Sequence, residues 1–355
     1  MQRIYISGSI GYDEIMNFPN HFKDYFHPEK LHQINVSFAV DSLAKHLGGC
    51  STNISYSLRL TIDYMKDTRP IISPVGAVGK DGEQLIEFFK SNNIDISYIL
   101  QDKKLYTATG KVITDQNDNQ IWGFYYGASA LDIKFLISNF KFLNKKKDYS
   151  NNKEFWVLSA THERPFTTAL RHVIKNKLPY LFDPGMTLTW IRDDLLKKGV
   201  LNATYLIGND YEIAMIEKRL KMTVAQMVEK GVNVIVTLGD KGVRYFGVAD
   251  SVSRFQSRQY SPSDKGIRAV GSPSSTATCS SITVRSVKLK KVVDPTGAGD
   301  AWRGGFVGAL ISGKKIKECL VMGNVMASFA VETMGTVEYV AKREEIEKRV
   351  KSISK

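Results

Sequence analysis

Short apolar runs recur along the chain, each followed by polar or Gly-rich residues and then, mostly, a helical-looking stretch. The runs are Ile4–Ile6, Ile71–Val78, Phe155–Leu158, Tyr180–Phe182, Tyr205–Ile207 and Val232–Leu238. Continuous β-branched and aromatic runs alternating with helices predict a mostly parallel sheet covered on both faces. Ligands of such sheets bind beyond the carboxyl ends of the strands. Two stretches break the rhythm. Residues 14–38 and 105–127 read as antiparallel hairpin strands, with Val112–Thr114 and Gln120–Phe124 flanking the turn-forming cluster DQNDN. They form either a small sheet that lids the main one or ordinary surface hairpins. A third stretch, 251–286, holds eleven Ser and three Thr and few large apolar residues. It has too little apolar surface to pack and is expected to be a mobile loop.

Composition refines this picture. The chain has 355 residues, 43% of them hydrophobic and 24% charged, which supports a real core and excludes wholesale disorder. No apolar run is long enough to span a bilayer, and the start, MQRIYISGSIGYDEI, lacks a signal-peptide layout. Three scattered cysteines imply neither a disulfide framework nor a zinc site. The chain therefore reads as a soluble cytoplasmic protein without a membrane partner. Its formal net charge is +13. Residues 243–293 carry nine Lys and Arg against two Asp, seven of those thirteen charges. The surplus is thus a local basic loop on a Lys-rich surface, and no nucleic-acid partner is expected.

The most informative stretch is Val292–Phe306, VVDPTGAGDAWRGGF. A strand end leads into a Gly-rich turn and then a helix of small residues. The free N–H groups of Gly297, Ala298 and Gly299 can hold an anion such as a phosphate at the helix's positive end. Asp300 is either a helix N-terminal carboxylate favoured by the same dipole or a base for a hydroxyl that attacks phosphorus. Gly48 and Gly49 open a helix, and Asn53 offers donor and acceptor atoms suited to a diol. Asp13 is either a turn residue or a carboxylate holding two sugar hydroxyls. Asn209 and Glu212 fit a capping box, and Glu212 can also orient water on Mg²⁺. Thr237, Gly239 and Gly242 lie in a turn that either cups a nucleotide phosphate or simply closes a hairpin. No Walker-type GxxxxGK[ST] loop and no HRD…DFG set occurs.

In order, these motifs resemble the ribokinase-like (PfkB) family of small-molecule kinases. The likeness spans the chain apart from the Ser-rich segment. GSIGYDEIM, INVSF, ITDQNDNQ, Phe182–Gly185 (FDPG), GDAWRGG and GTVEYVAKREEI are most similar to its adenosine and nucleoside kinase branch. The resemblance implies an α/β/α sandwich with a central, mostly parallel sheet and a small β-sheet lid. Residues 1–13, 39–104 and 128–355 would form the core, 14–38 and 105–127 the lid, and 247–288 a basic insertion within the core. It implies ATP as phosphoryl donor, a nucleoside or sugar as acceptor, Mg²⁺, a K⁺ activator and a monomer or homodimer.

Residue roles implied by the resemblance follow the motifs. Asp300 is the base on the ribose 5′-hydroxyl, with Gly297, Ala298 and Gly299 as the anion hole. Asp13, Gly48, Gly49 and Asn53 bind sugar hydroxyls, while Phe124 on the lid either stacks on the base or is plain packing. Asn209 and Glu212 organise Mg²⁺ and phosphates. Thr237, Gly239 and Gly242 lie along ATP, Asn324 near its adenine, and Asp294 beside the monovalent cation. Met186 and Thr187 after FDPG, and Val337 after the closing Gly-Thr, depart from the branch and leave the preferred nucleoside open. Arg303 shares a helix face with Asp300 and can pair with phosphate or with an acidic neighbour. The alternatives to a nucleoside kinase are a sugar kinase of the ribokinase or fructokinase type and a ligand-binding regulator without turnover.

Overall fold

The computed structural model describes residues 2–26, 35–67, 70–117, 119–134, 136–137, 153–248 and 279–354. Thirteen strands occur among them: β1 Gln2–Ser7, β2 Gly11–Asn17, β3 Ser42–Gly48, β4 Pro70–Val78, β5 Ile99–Gln101, β6 Ala108–Thr114, β7 Gln120–Tyr125, β8 Lys153–Leu158, β9 Tyr180–Phe182, β10 Tyr205–Asn209, β11 Asn233–Thr237, β12 Val243–Val248 and β13 Cys279–Val284. The helices are α1 Cys50–Met65, α2 Glu83–Ser91, α3 Glu163–Lys175, α4 Asp193–Asn202, α5 Asp210–Leu220, α6 Val224–Glu229, α7 Ala298–Ile311, α8 Ile316–Ala330 and α9 Arg343–Ile353.

The large sheet has the order β13-β12-β11-β10-β9-β8-β1-β4-β5. It is parallel from β11 to β5, with β12 and β13 antiparallel at one edge. All six apolar runs lie in this sheet, because strands buried on both faces need apolar residues throughout. One apolar core joins it to α1, α7 and α8. The other joins it to α3, α4 and α5 on the opposite face.

The small sheet has the order β3-β2-β6-β7. It differs from the expected pair of hairpins in three ways. The strand Ser42–Gly48, expected in the core, belongs to it. Asp13, expected just past a core strand, sits in the middle of β2. β2 pairs with β6 in parallel, so the two stretches meet without forming a single hairpin. Only the first residues of 14–38 are strand. Beyond them Phe18, Phe22, Tyr25 and Phe38 pack ring against ring, while 27–34 lie outside the described residues.

The basic Ser-rich segment is bounded by an ordinary hairpin. β12 and β13 pair over Val243–Val248 and Cys279–Val284, so the expected insertion is strand at both margins. Ile282 and Val284 alternate with polar residues there, a period-two pattern that the Ser-rich composition hides. Residues 249–278, on which the mobile-loop expectation falls, lie outside the described residues.

Small residues on α7 set the distances in the site. A Cβ on Gly304 would reach 2.5 Å from Ser57 Cβ, and one on Gly308 would reach 2.6 Å from a Thr61 methyl. The lack of Cβ atoms lets α7 lie directly against α1. Ser57 Oγ then donates to the Ala301 carbonyl at 2.7 Å. This contact brings Asn53 on α1 beside Asp300 on α7.

Candidate active site

The centre of the site is the turn before α7. Gly297 is its N-cap with φ +75°, a left-handed conformation that suits glycine. Ala298, Gly299 and Asp300 are the first three helical residues. The N–H of Ala298 donates to the Pro295 carbonyl at 3.2 Å, those of Gly299 and Asp300 have no partner within the helix, and the dipole adds positive charge at the same place. The turn can therefore bind an anion.

Asn53 Nδ2 donates to Asp300 Oδ2 at 2.9 Å. Thr336 Oγ1 in turn donates to Asn53 Oδ1 at 2.7 Å. Asn53 is buried, and its amide orientation is set from both ends. Loss of hydration pushes the Asp300 carboxyl up to about 6. Arg303 and the Asn53 bond oppose that rise, while the charge of Asp183 adds to it. A carboxyl poised there can accept a proton near neutral pH.

The lid supplies the facing wall. His46 on β3, Asp13 on β2, Gly110 on β6 and Phe124 on β7 form one row across the small sheet. Residues directly opposed in register point to the same face. Gly110 has no side chain, and Asp13, Trp122 and Phe124 close in over it: a Cβ there would lie 2.9 Å from Asp13 Oδ1, 3.2 Å from Trp122 and 3.4 Å from Phe124. Phe124 and Trp122 are 40% and 46% exposed. Phe124 meets Tyr126 edge to face at 4.8 Å, and Tyr126 meets His162 in the core at 5.1 Å. Burial raises the Asp13 carboxyl to about 6, helped by the charge of Asp300 and opposed by His46. Gly48 faces this carboxylate so closely that a Cβ would overlap it. Gly49, at φ +88°, turns the chain into α1, where a Cβ would strike the Ser9 carbonyl at 2.6 Å.

Asn209 and Glu212 form a reciprocal capping box at α5, with both bonds at 2.8 Å. Burial raises the Glu212 carboxyl, as does the charge of Asp183. Asp294 accepts from Thr296 N at 2.9 Å and from Gly335 N at 3.1 Å, tying the turn before α7 to the C-terminal loop. The Thr237–Gly242 turn has the hairpin role the sequence allowed. It closes the β11–β12 hairpin, and a Cβ on Gly239 would meet open space. Thr237 Oγ1 donates to the Gly208 carbonyl at 3.4 Å, and Gly242, at φ +96°, packs on the backbone of Val284 and Ser286.

Asn324, expected near the adenine, has protein partners on three sides. It is buried, accepts from Trp302 Nε1 at 2.8 Å, and donates to the carbonyls of Val284 at 3.2 Å and Arg285 at 2.8 Å. Both its N–H donors are thus spent inside the protein, and it clamps α7, α8 and the end of β13 together.

Several site residues were not assigned roles from sequence. Thr336 orients Asn53 from within the quoted GTVEY. Asp183, in FDPG, accepts from Ser159 Oγ at 2.5 Å and from Arg303 NH2 at 2.6 Å. His46, just before the paired glycines, bonds Glu338 at 2.9 Å and so links lid to core. Each contact joins residues far apart in the chain, which a linear pattern does not display. Among the described residues, no group of three or more His, Cys, Asp and Glu is disposed to hold a metal, and no helix is long and apolar enough to cross a membrane.

The arrangement combines a helix-terminal anion site, a poised carboxylate and a lid bearing a second carboxylate. The sequence pattern of the pfkB family carbohydrate kinases matches residues 12–343, and the chain belongs to that family. It is a phosphotransferase that acts on a hydroxyl group. Two archaeal relatives are similar along most of their length. The nucleoside kinase of Methanocaldococcus jannaschii is 26% identical over 310 residues, 87% of either chain. That of Methanothermobacter thermautotrophicus is 28% identical over 315 residues, 87% of this chain and 86% of the relative. The solved structure of Burkholderia thailandensis nucleoside kinase with inosine shares the fold, with a TM-score of 0.73 at 21% identity, over 98% of this chain and 97% of that one.

Proposed function

We propose that this kinase transfers the γ-phosphoryl group of ATP to the ribose 5′-hydroxyl of a nucleoside. The observation that carries the reading is the Thr336–Asn53–Asp300 chain of hydrogen bonds set at the mouth of the 297–300 turn. In this reading Asp300 takes the hydroxyl proton as the oxygen attacks phosphorus, and the bridging oxygen leaves with ADP. The N–H groups of Gly297, Ala298 and Gly299 hold the charge that spreads over the transferring group. Asp13 holds sugar hydroxyls from the lid, with Gly48 and Gly49 leaving room for them. The exposed rings of Phe124 and Trp122 give a flat base a surface to stack on. The two archaeal relatives named as nucleoside kinases support the same acceptor.

Mg²⁺ would enter with the nucleotide. Such an ion keeps much of its water and binds phosphates, so it needs few protein ligands. Glu212, whose capping bond fixes one carboxylate oxygen, is the residue to orient that water, and bound Mg²⁺ would neutralise phosphate charge. K⁺ would sit by Asp294, whose two oxygens already join the 296 and 335 backbones. Thr237, Gly239 and Gly242 flank the path of ATP in the hairpin turn beside Glu212. A cytoplasmic location, a monomer or homodimer, and the absence of nucleic-acid and membrane partners belong to the same reading.

The test is a phosphate-transfer assay over purine and pyrimidine nucleosides, ribose, fructose and fructose 6-phosphate, with and without K⁺. Nucleosides are expected to exceed free sugars in kcat/KM by at least about tenfold. Equal turnover of ribose and adenosine would make this a sugar kinase.

A further inference from the structure

Arg303 is a buried cation of the site to which the reading above gives no part. It lies four residues after Gly299 on α7, and helical side chains lean toward the N-terminus. A Cβ on Gly299 would lie 2.5 Å from Arg303 NH1, so the guanidinium rests on the 297–300 turn itself. Its side chain is 12% exposed and that of Asp183 is 3% exposed.

A guanidinium carries five N–H donors. Among the described residues, Arg303 bonds one acceptor, Asp183 Oδ1, through NH2. Nε is buried without a partner. Asp183 is itself fixed by Ser159 Oγ, and its backbone N donates to the Leu158 carbonyl at 2.9 Å. One edge of the guanidinium is therefore anchored, while NH1 lies over the turn with no acceptor.

The carboxylates of Asp183, Asp300 and Glu212 already favour the charged guanidinium there and hold it against the helix dipole. A cation at a helix N-terminus is opposed by the dipole and by the backbone N–H groups. Asp183 offsets its charge but does not use its remaining donors. With a phosphoryl group on the turn, backbone donors, dipole and guanidinium all act in the same sense. A loose phosphoryl-transfer transition state spreads charge over three equatorial oxygens. The nearby carboxylates of Asp300, Asp183 and Glu212 would otherwise repel it.

We propose that Arg303 is a further catalytic residue, whose NH1 edge bonds a non-bridging oxygen of the transferring phosphoryl group while Asp183 holds the NH2 edge in place. The inference rests on the 297–300 turn being the phosphoryl site. Asp183 is then a positioning residue, and the FDPG motif gains a role in phosphoryl transfer.

The test compares Arg303→Gln and Arg303→Lys with the wild type in steady-state transfer from MgATP to a nucleoside. It also measures inhibition by ADP with aluminium fluoride, which mimics the transferring group. For Arg303→Gln, kcat is expected to fall about 10²–10³-fold, with Arg303→Lys intermediate. The aluminium fluoride complex should weaken by a matching factor, while KM for ATP moves less than about threefold. A kcat within about threefold of wild type, or a kcat loss with undiminished aluminium fluoride affinity, overturns the proposal. Should Arg303→Gln fail to fold because Asp183 is left uncompensated, the double variant Arg303→Gln/Asp183→Asn removes that charge and carries the same readouts. Asp300→Asn separates the two levels. If it retains turnover, the phosphoryl-site reading falls and this inference with it. If it is inactive while Arg303→Gln is active, only this inference falls.

Discussion

Asn53 and Asp300 lie 247 residues apart in sequence and 2.9 Å apart in space. The bond ties one oxygen of Asp300, Oδ2, to the Asn53 amide. Asn53→Ala should free the carboxylate to rotate. A misplaced base costs up to about 10²-fold, so kcat is expected to fall about 10–100-fold with ATP affinity unchanged. Asn53→Asp should be worse, because it sets a second carboxylate against the first. Parallel assays of transfer and of ATP binding check this; equal losses in both would indicate a fold defect.

Asp300 must be ionised to take a proton, and its carboxyl sits at about 6. The rate should therefore fall on the acid side, with kcat/KM dropping roughly tenfold per pH unit below about pH 6. Asp300→Asn should abolish turnover at every pH while ATP still binds. A flat profile down to about pH 4.5 would show that Asp300 is not the base.

Asp13 predicts a stability effect of the opposite sense to the usual carboxylate. Its carboxyl is raised from an ordinary 3.8 to about 6 in the folded protein. Between those values the folded state binds protons that the unfolded chain does not. Its contribution is thus fully present below about pH 4 and is lost as pH rises through about 6. Asp13→Asn should be more stable than wild type at pH 7, by about 1–2 kcal/mol after screening. It should also flatten the decline of the thermal midpoint between about pH 4 and 6. Calorimetry over that range checks the sign, and a less stable variant at pH 7 would refute it.

Asn324 separates a packing role from a ligand role. Asn324→Ala removes the buried partner of Trp302 Nε1 and of the Val284 carbonyl, and the part-buried donor to the Arg285 carbonyl. The loss should be about 2–4 kcal/mol, read as a lower denaturant midpoint. KM for ATP measured well below the unfolding transition should change little. A large KM effect on a protein of undiminished stability would instead support the adenine contact expected from sequence.

The main sheet was legible because its buried strands are apolar runs, which no other element of this length produces so regularly. The lid was half legible. β3 reads SLAKHLG, short of β-branched residues and mostly exposed, and its pairing with β2 is what makes it a strand. Asp13 was legible as a candidate, but its place in a sheet row with His46, Gly110 and Phe124 depends on register, which the chain order hides. Asp300 and the 297–300 turn stood out because a helix-terminal anion site is built from consecutive residues. Arg303 and Asn324 were visible as residues yet not as partners, since Asp183 and the end of β13 reach them only through the tertiary fold.

Gly48 offers the sharpest test of the sugar contact. It stands opposite Gly11 in the β2–β3 pair, and its missing Cβ leaves the space that the Asp13 carboxylate occupies. A methyl there would overlap Oδ2 and lie 2.8 Å from Cγ, so the carboxylate must turn away. It has little room on the other side, where Gly110 brings β6 close and Trp122 and Phe124 follow. Gly48→Ala should therefore displace Asp13 without touching Asp300, Asn53 or the 297–300 turn. KM for the nucleoside is expected to rise about tenfold or more, a loss of roughly 1.4 kcal/mol, with KM for ATP within about twofold. If the ATP term moves and the nucleoside term does not, Asp13 is not the residue that holds the sugar.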